Sequence, residues 1–263
     1  MIAAKSETND GATLMDDVRG QVSAEEWRVR VELAACYRMI AHLGWDDLVF
    51  THISARAPGA EAHFLLNPYG LMFEEVTASS LVKVDLTGAK VLPSPYDIIP
   101  AGYTIHSAVH EARTDAHCVL HLHTPEGVAV SCQTGGLKPI SQTALYALAS
   151  LAYHPYEGVA LNAEEKPRLQ GDLGRKKMMI LENHGLLTVG RSIADAFLAM
   201  FTLQRACEVQ IMAQAGGALI EIPDGILRGI GAQVKQSLGD SGAGRVWPAI
   251  MRKMDRLDPS YRN

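Results

Sequence analysis

The chain has only four cysteines in 263 residues, Cys36, Cys118, Cys132 and Cys207, and no C-x-x-C pair. Neither a zinc knuckle nor a disulfide framework is suggested, and the pattern predicts reduced, mostly buried thiols of a cytoplasmic protein. No run of 18 uninterrupted apolar residues is present, and the N-terminus is polar and acidic rather than basic then apolar. No membrane span or secretory leader is therefore expected. Basic clusters interleaved with aromatics are also missing, and the formal charge of -5 with a pI near 6.0 leaves no footprint for DNA or RNA. No G-x-G-x-x-G follows a strand and no P-loop occurs, so neither a nicotinamide nor a nucleoside triphosphate site is supported. Fixed-period repeats and low-complexity tracts are absent, and no linker divides the chain.

What is abundant is core-forming material, 48% of the residues being hydrophobic, enough for one large domain. Residues 1–22 lack periodicity and read as a flexible N-terminal arm, 23–263 as a single domain, and 216–263 as its C-terminal extension. Ser23 opens the first firm helix, with Glu26 three residues on as a capping box, and Val29, Leu33, Cys36 and Ile40 follow on one face until Gly44. Leu48 to Arg56 and His63 to Asn67 read as strands, and Leu81 to Leu92 as a hairpin turning at Thr87-Gly88. Helical spacing returns over Ala101 to Arg113, and Thr124-Pro125 starts another helix. Ser141 to Tyr153 reads as one apolar helix, Lys177 to Leu181 and Leu186 to Val189 as strands, and Ser192 caps a long helix to about Ala215. The basic end, WPAIMRKMDRLDPSYRN, reads as a solvated or intersubunit tail. Irregular alternation of helices and hairpins predicts an α/β sandwich with a mixed or largely antiparallel sheet.

The chemistry centres on HCVLHLHTPEG, residues 117–127. Alternate residues of a strand leave the same face about 7 Å apart, so His121 and His123 can each direct a nitrogen at one divalent ion. The pair reads equally as polar side chains on a half-buried strand, and a third ligand must come from elsewhere. His106 and His110, four apart on a helix, fit either a metal or a packing role. Lys177 to Leu181 delivers Glu182-Asn183-His184-Gly185 to its C-terminal end. Glu182 suits a partner that orients one of the ligands of such an ion, a fourth ligand, or simply a solvated carboxylate. The adjacent Glu74 and Glu75 fit a base or a hydrated loop pair.

With HLHTPEG, the helix before it, and NHGLLTVG after it, residues 25–215 resemble the class II aldolase/adducin family; THISAR, LLNPYG and LVKVDLTG carry the likeness further. The resemblance implies a three-layer α/β/α sandwich with a mixed, largely antiparallel central sheet. It also implies metal binding by His121, His123 and His184, and a homo-oligomer, commonly a tetramer, with the site near a subunit interface. Zinc is the first choice of divalent ion, with Mn, Fe or Co as alternatives. In the aldolase members such an ion neutralises charge that develops as a carbon–carbon bond breaks.

Departures from the family pattern narrow the reaction. Sugar-phosphate aldolases of the family carry Ser-Ser-Glu four residues ahead of the histidine that aligns with His106, which puts the catalytic glutamate at Gly102. Thr51 and His52 stand where those enzymes have the Gly-Asn of a phosphate loop, although Gly70 is kept. A phosphate ester needs several donors, so the expected small-molecule substrate carries none. Proton transfer then falls to His52, Tyr103 or Tyr156 as catalytic groups, with His106 and His154 close to the same segments. Three readings follow: a metal-dependent lyase, an aldolase or decarboxylase acting on a hydroxy-carbonyl or hydroxy-aromatic acid; a non-catalytic adducin-like scaffold with a structural metal; and a non-haem iron oxygenase using two histidines and a carboxylate such as Glu182.

Overall fold

The computed structural model describes residues 18–59, 61–159, 163–238 and 242–263. Residues 1–17 of the expected arm lie outside the described residues. The arm ends earlier than the sequence implied, because Val18–Gln21 form a short helix, α1, with Val18 buried. The first long helix, α2 (Ala24–His42), starts as predicted on Ser23, whose hydroxyl accepts from the Glu26 amide at 3.1 Å. Glu26 does not fold back as a capping box. Its carboxylate is buried and takes Arg30 Nε at 3.0 Å and Lys83 Nζ at 2.7 Å, because a buried charge needs charged partners more than a helix end needs a second cap.

Seven strands form one sheet in the order β3-β2-β1-β4-β7-β6-β5. They are β1 (His52–Arg56), β2 (Phe64–Leu66), β3 (Val82–Val84), β4 (Cys118–Leu122), β5 (Leu151–His154), β6 (Met178–Leu181) and β7 (Gly185–Gly190). Only β5 and β6 run parallel; every other neighbouring pair is antiparallel, so the sheet is mixed and largely antiparallel. Alternation along the strands sorts the core into two layers. Leu120, Leu122, Ile180 and Leu186 join the large cluster with α2 and with α7 (Ile193–Ala215). Val119, Met179, Leu187 and Val189 face the other way, onto α3 (Pro100–Ala112) and α6 (Lys166–Leu173). Helices thus cover both faces, giving the expected α/β/α sandwich.

Four local expectations change. The strand expected from Leu48 starts only at His52: Leu48 takes a left-handed φ of 49° and Phe50 closes a turn by donating to the Asp47 carbonyl. The Leu81 to Leu92 hairpin keeps only β3, with a single bridge from Val84 to Lys90. Asp85 folds its carboxylate over the Thr87 and Ala89 amides, and Pro93 and Pro95 have no N–H to extend a ladder. The apolar run from Ser141 to Tyr153 splits into α5 (Gln142–Leu148) and β5, because residues 151–154 supply the backbone partners of β6. The C-terminal tail, expected to be a solvated or intersubunit segment, packs one face on its own chain. In α9 (Gly242–Leu257) Trp247, Ile250 and Met254 are buried against the α2 and α7 layer. Beyond it Tyr261 is buried and its carbonyl accepts from Ala78 N at 2.9 Å, so the stretch that looked basic is amphipathic and packs. Between these helices lie α4 (Pro125–Ser131) and α8 (Asp224–Leu238). No described helix is long and apolar enough to cross a membrane.

Candidate metal centre

His121 and His123 leave β4 on the face opposite Leu120 and Leu122, toward α3. The third histidine arrives by a tight connection between β6 and β7. Asn183 adopts a left-handed φ of 54°, a conformation asparagine tolerates better than most residues, and its amide donates to the Ser131 carbonyl at 3.1 Å. Gly185 follows because a Cβ there would lie 2.5 Å from the Leu122 carbonyl oxygen and 3.1 Å from the His123 ring. The Asn-His-Gly order therefore combines a permitted turn, the third histidine and a close strand approach. One ring nitrogen from each of His121, His123 and His184 lies within 4.8 Å of the others. His121 Nε2 is 3.2 Å from His184 Nε2 and 2.9 Å from His123 Nε2.

The outer nitrogens decide what the inner ones are. His121 Nδ1 lies 3.1 Å from the Leu186 carbonyl, which only accepts, so that nitrogen carries the proton and Nε2 keeps a lone pair. His123 Nδ1 likewise donates to Asp47 Oδ2 at 3.0 Å. His123 Nε2 faces the His121 lone pair at 2.9 Å, a separation at which one cation can be held by both nitrogens. Burial and the neighbouring His184 hold His121 well below the usual histidine range, and burial, then His123, holds His184 at about 4. Three imidazoles with converging ring nitrogens, two of them oriented by a carbonyl or a carboxylate, suit a divalent ion with open positions for substrate.

The triad forms one wall of a cavity of about 460 Å³ that also meets His52, Gly102, Ile105, Tyr156 and Val159. No Lys or Arg lines it among the described residues. His52 stands beside the triad, directly across the sheet from His121, with ring centroids 5.2 Å apart. Its Nδ1 is 2.8 Å from His106 Nε2, and burial, then His123 and His184, lowers it to about 3. Gly102, where the resemblance implied the aldolase glutamate, faces this ring: a Cβ there would fall 2.1 Å from His52 Cδ2 and 2.2 Å from Nε2. Tyr156 sits exposed at the mouth with its ring 6.4 Å from that of His184.

The remaining candidates lie elsewhere. Tyr103, predicted as a catalytic group, turns away from the cavity: its hydroxyl donates to the Asp85 carbonyl and its ring packs near Gly88 and the Phe64 cluster. The cause is helical geometry, which points adjacent residues 102 and 103 in different directions. Glu182 is exposed and outside the nitrogen cluster, so the fourth-ligand reading finds no geometric support. His154 is buried behind the mouth, with Nδ1 2.8 Å from Asp172 Oδ2 and Nε2 3.4 Å from Glu165 Oε1. Gly70 occupies an exposed turn at φ 100°, and Glu75 accepts from the Met72 amide, both away from the cavity. Sequence reasoning missed Asp47, which holds His123, and Ser54, which shares the His52 face of β1; only the second had a signal, the i, i+2 spacing.

Comparison with known proteins places the chain in a family. Residues 31–211 match the family model described as the class II aldolase and adducin N-terminal domain. The chain is 63% identical over 254 residues to a Pseudomonas aeruginosa protein provisionally named a class 2 aldolase, covering 95% of this chain and 98% of that one. It is 41% identical to mouse α-adducin over 93% of this chain, but over only 36% of adducin. The solved L-fuculose 1-phosphate aldolase of Glaciozyma antarctica superposes with a TM-score of 0.80 at 30% identity, covering 91% of this chain and 94% of that one. The chain belongs to the class II aldolase and adducin family.

Proposed function

We propose that this protein is a divalent-metal-dependent carbon–carbon lyase, acting by retro-aldol cleavage or decarboxylation on a small hydroxy-carbonyl or hydroxy-aromatic acid without a phosphate ester. The observation that carries the reading is the convergence of three Nε2 atoms on the wall of a cavity shared with His52. A lining without Lys or Arg among the described residues supports an unphosphorylated substrate, unlike the sugar phosphate in the name of the Glaciozyma antarctica relative. His121, His123 and His184 would hold the ion, zinc by preference for three imidazoles. Bound there, it supplies electrophilic charge where substrate oxygens become more negative.

The chain's own groups do the rest. In retro-aldol cleavage the substrate hydroxyl gives its proton to His52 Nε2, the O–H pair forms the carbonyl, and the broken carbon–carbon pair stays on the departing fragment. The imidazolium then returns the proton to that carbon. Burial disfavours the charged ring, so the proton is not retained, while negative charge growing beside it raises its basicity during the step. Tyr156 donates from the mouth to the substrate's outer oxygen. Ile105 and Val159 give the cavity an apolar side that an aromatic or short aliphatic body fits. Free cysteines at all four positions support a reducing, cytoplasmic setting, and the family resemblance supports a tetramer.

The deciding experiment is metal analysis of the purified protein followed by a screen of zinc- and manganese-loaded protein with unphosphorylated hydroxy acids. Cleavage or CO2 release that disappears in His121→Ala, His123→Ala is expected. A folded protein that takes up no ion after reconstitution sinks the lyase. The adducin-like scaffold is the second reading, favoured by the 41% identity to α-adducin together with the missing carboxylate at Gly102. It predicts bound metal with no turnover.

A further inference from the structure

His52 is the outer end of a buried hydrogen-bond chain that crosses from the cavity to the far end of α3. Its Nδ1 meets His106 Nε2 at 2.8 Å, and His106 Nδ1 meets Ser54 Oγ at 2.5 Å. Ser54 Oγ meets His110 Nε2 at 2.7 Å, and His110 Nδ1 meets the Ala116 carbonyl at 3.0 Å. All four side chains are under 5% exposed. Periodicity builds the chain: His52 and Ser54 share one face of β1, and His106 and His110 share one face of α3.

A backbone carbonyl can only accept, so His110 Nδ1 bears hydrogen and its Nε2 must accept. The Ser54 hydroxyl then gives its one hydrogen to His110 and accepts from His106 Nδ1. His106 Nε2 is left as an acceptor and takes the hydrogen of His52 Nδ1. What remains at the cavity is His52 Nε2 with a lone pair. Reversing any link would set two lone pairs or two hydrogens against each other inside the core, where no water relieves them. Burial, and for His106 the neighbouring His52 and His110, keeps the rings neutral, so each has one donor and one acceptor.

We infer that Ser54 and His110 are positioning residues: together with the Ala116 carbonyl they lock His52 in the Nδ1–H tautomer and so present Nε2 to the cavity as an acceptor. The lock is a property of the fold alone. Its consequence for turnover rests on the lyase reading, in which that lone pair takes the substrate proton.

The test is histidine-selective 15N labelling of the zinc-loaded protein, with long-range 1H–15N correlations that report which ring nitrogen bears hydrogen. Wild type is expected to show Nδ1–H with unprotonated Nε2 at His52, His106 and His110. Ser54→Ala removes the central relay and is expected to give mixed tautomers at His106 and His52 with the zinc content unchanged; Ser54→Thr, which keeps the hydroxyl, restores the wild-type pattern. An Nε2–H tautomer at His52 in wild type overturns the inference, even if no variant folds. So does a Ser54→Ala protein, folded and zinc-loaded, whose His52 and His106 tautomers match wild type. If a lyase substrate is found, Ser54→Ala should lower kcat about 10- to 100-fold with KM little changed. The expected tautomers without turnover on any hydroxy acid support the lock and count against the lyase alone.

Discussion

The His52 imidazole occupies the volume into which any side chain on Gly102 would project, with the nearest ring atom 2.1 Å from an ideal Cβ. The two positions are therefore coupled: one residue must lack a side chain for the other to have its ring. Gly102→Ala in wild type is expected to displace the ring, break the His52–His106 bond and cost about 1–3 kcal/mol by overpacking. In a His52→Ala background the same change should be neutral or stabilising by up to about 1 kcal/mol, since alanine is the better helix former. Urea unfolding of the four proteins gives the coupling energy; additive costs would show that the contact is relieved without strain.

Metal affinity should depend on Asp47 as well as on the three histidines. The His121→Ala, His123→Ala protein is expected to lose about one ion per chain. Asp47→Ala, which removes the acceptor of His123 Nδ1, should retain the fold and bind zinc about 10- to 100-fold more weakly. Competition with a chromogenic chelator measures both, and unchanged affinity in Asp47→Ala would remove that residue from the site.

Acid should destabilise the metal-stripped protein well before its carboxylates titrate. His52 and His110 are held at about 3 and His184 at about 4 in the folded state, against 6.5 for the unfolded chain. Between those values the unfolded state binds protons that the folded state refuses, so stability is full above about 6.5 and falls as the pH drops toward 4. Each such histidine contributes a slope of about 1.4 kcal/mol per pH unit within the window. Urea midpoints between pH 8 and 4.5 test this, and a flat profile above pH 5 would contradict it.

Trp247 measures how far the C-terminal segment belongs to the core. Its side chain is buried against Phe197, with ring centroids 5.8 Å apart, and its indole nitrogen has no hydrogen-bond partner among the described residues. Trp247→Ala should cost about 3–5 kcal/mol, whereas Trp247→Phe should cost much less, because it removes an unsatisfied N–H along with some volume. A change below about 0.5 kcal/mol on Trp247→Ala, read by thermal and urea unfolding, would assign the segment to the surface.

Local signals were legible wherever a residue acts on its own neighbours. Ser23, Thr124, Ser141 and Ser192 each accept from the amide three residues on, so helix starts could be read from single hydroxyls followed by apolar spacing. The i, i+2 spacing of His121 and His123 predicts a common side of the strand, as does that of His52 and Ser54. Short strands were harder. Leu151 to His154 has no alternation that separates it from the helix before it, and it is a strand because β6 needs a partner on that side. The tail misled because its charges are conspicuous and its buried Trp247, Ile250 and Met254 are spaced three or four apart among them.

The sequence by itself determined the three histidines, the faces they leave, the glycine and asparagine that permit the turn at His184, and the family that joins them. Tertiary structure alone decided that Asp47 orients His123, that the ring of His52 stands where a side chain would project from residue 102, and that Ser54 joins His106 to His110 in a chain reaching the cavity. The reason is separation along the chain. Caps, turns and same-face spacing are fixed by bond geometry within a few residues, whereas a hydrogen bond or a steric exclusion across 50 to 76 positions exists only once the sheet register and helix packing have brought the partners together.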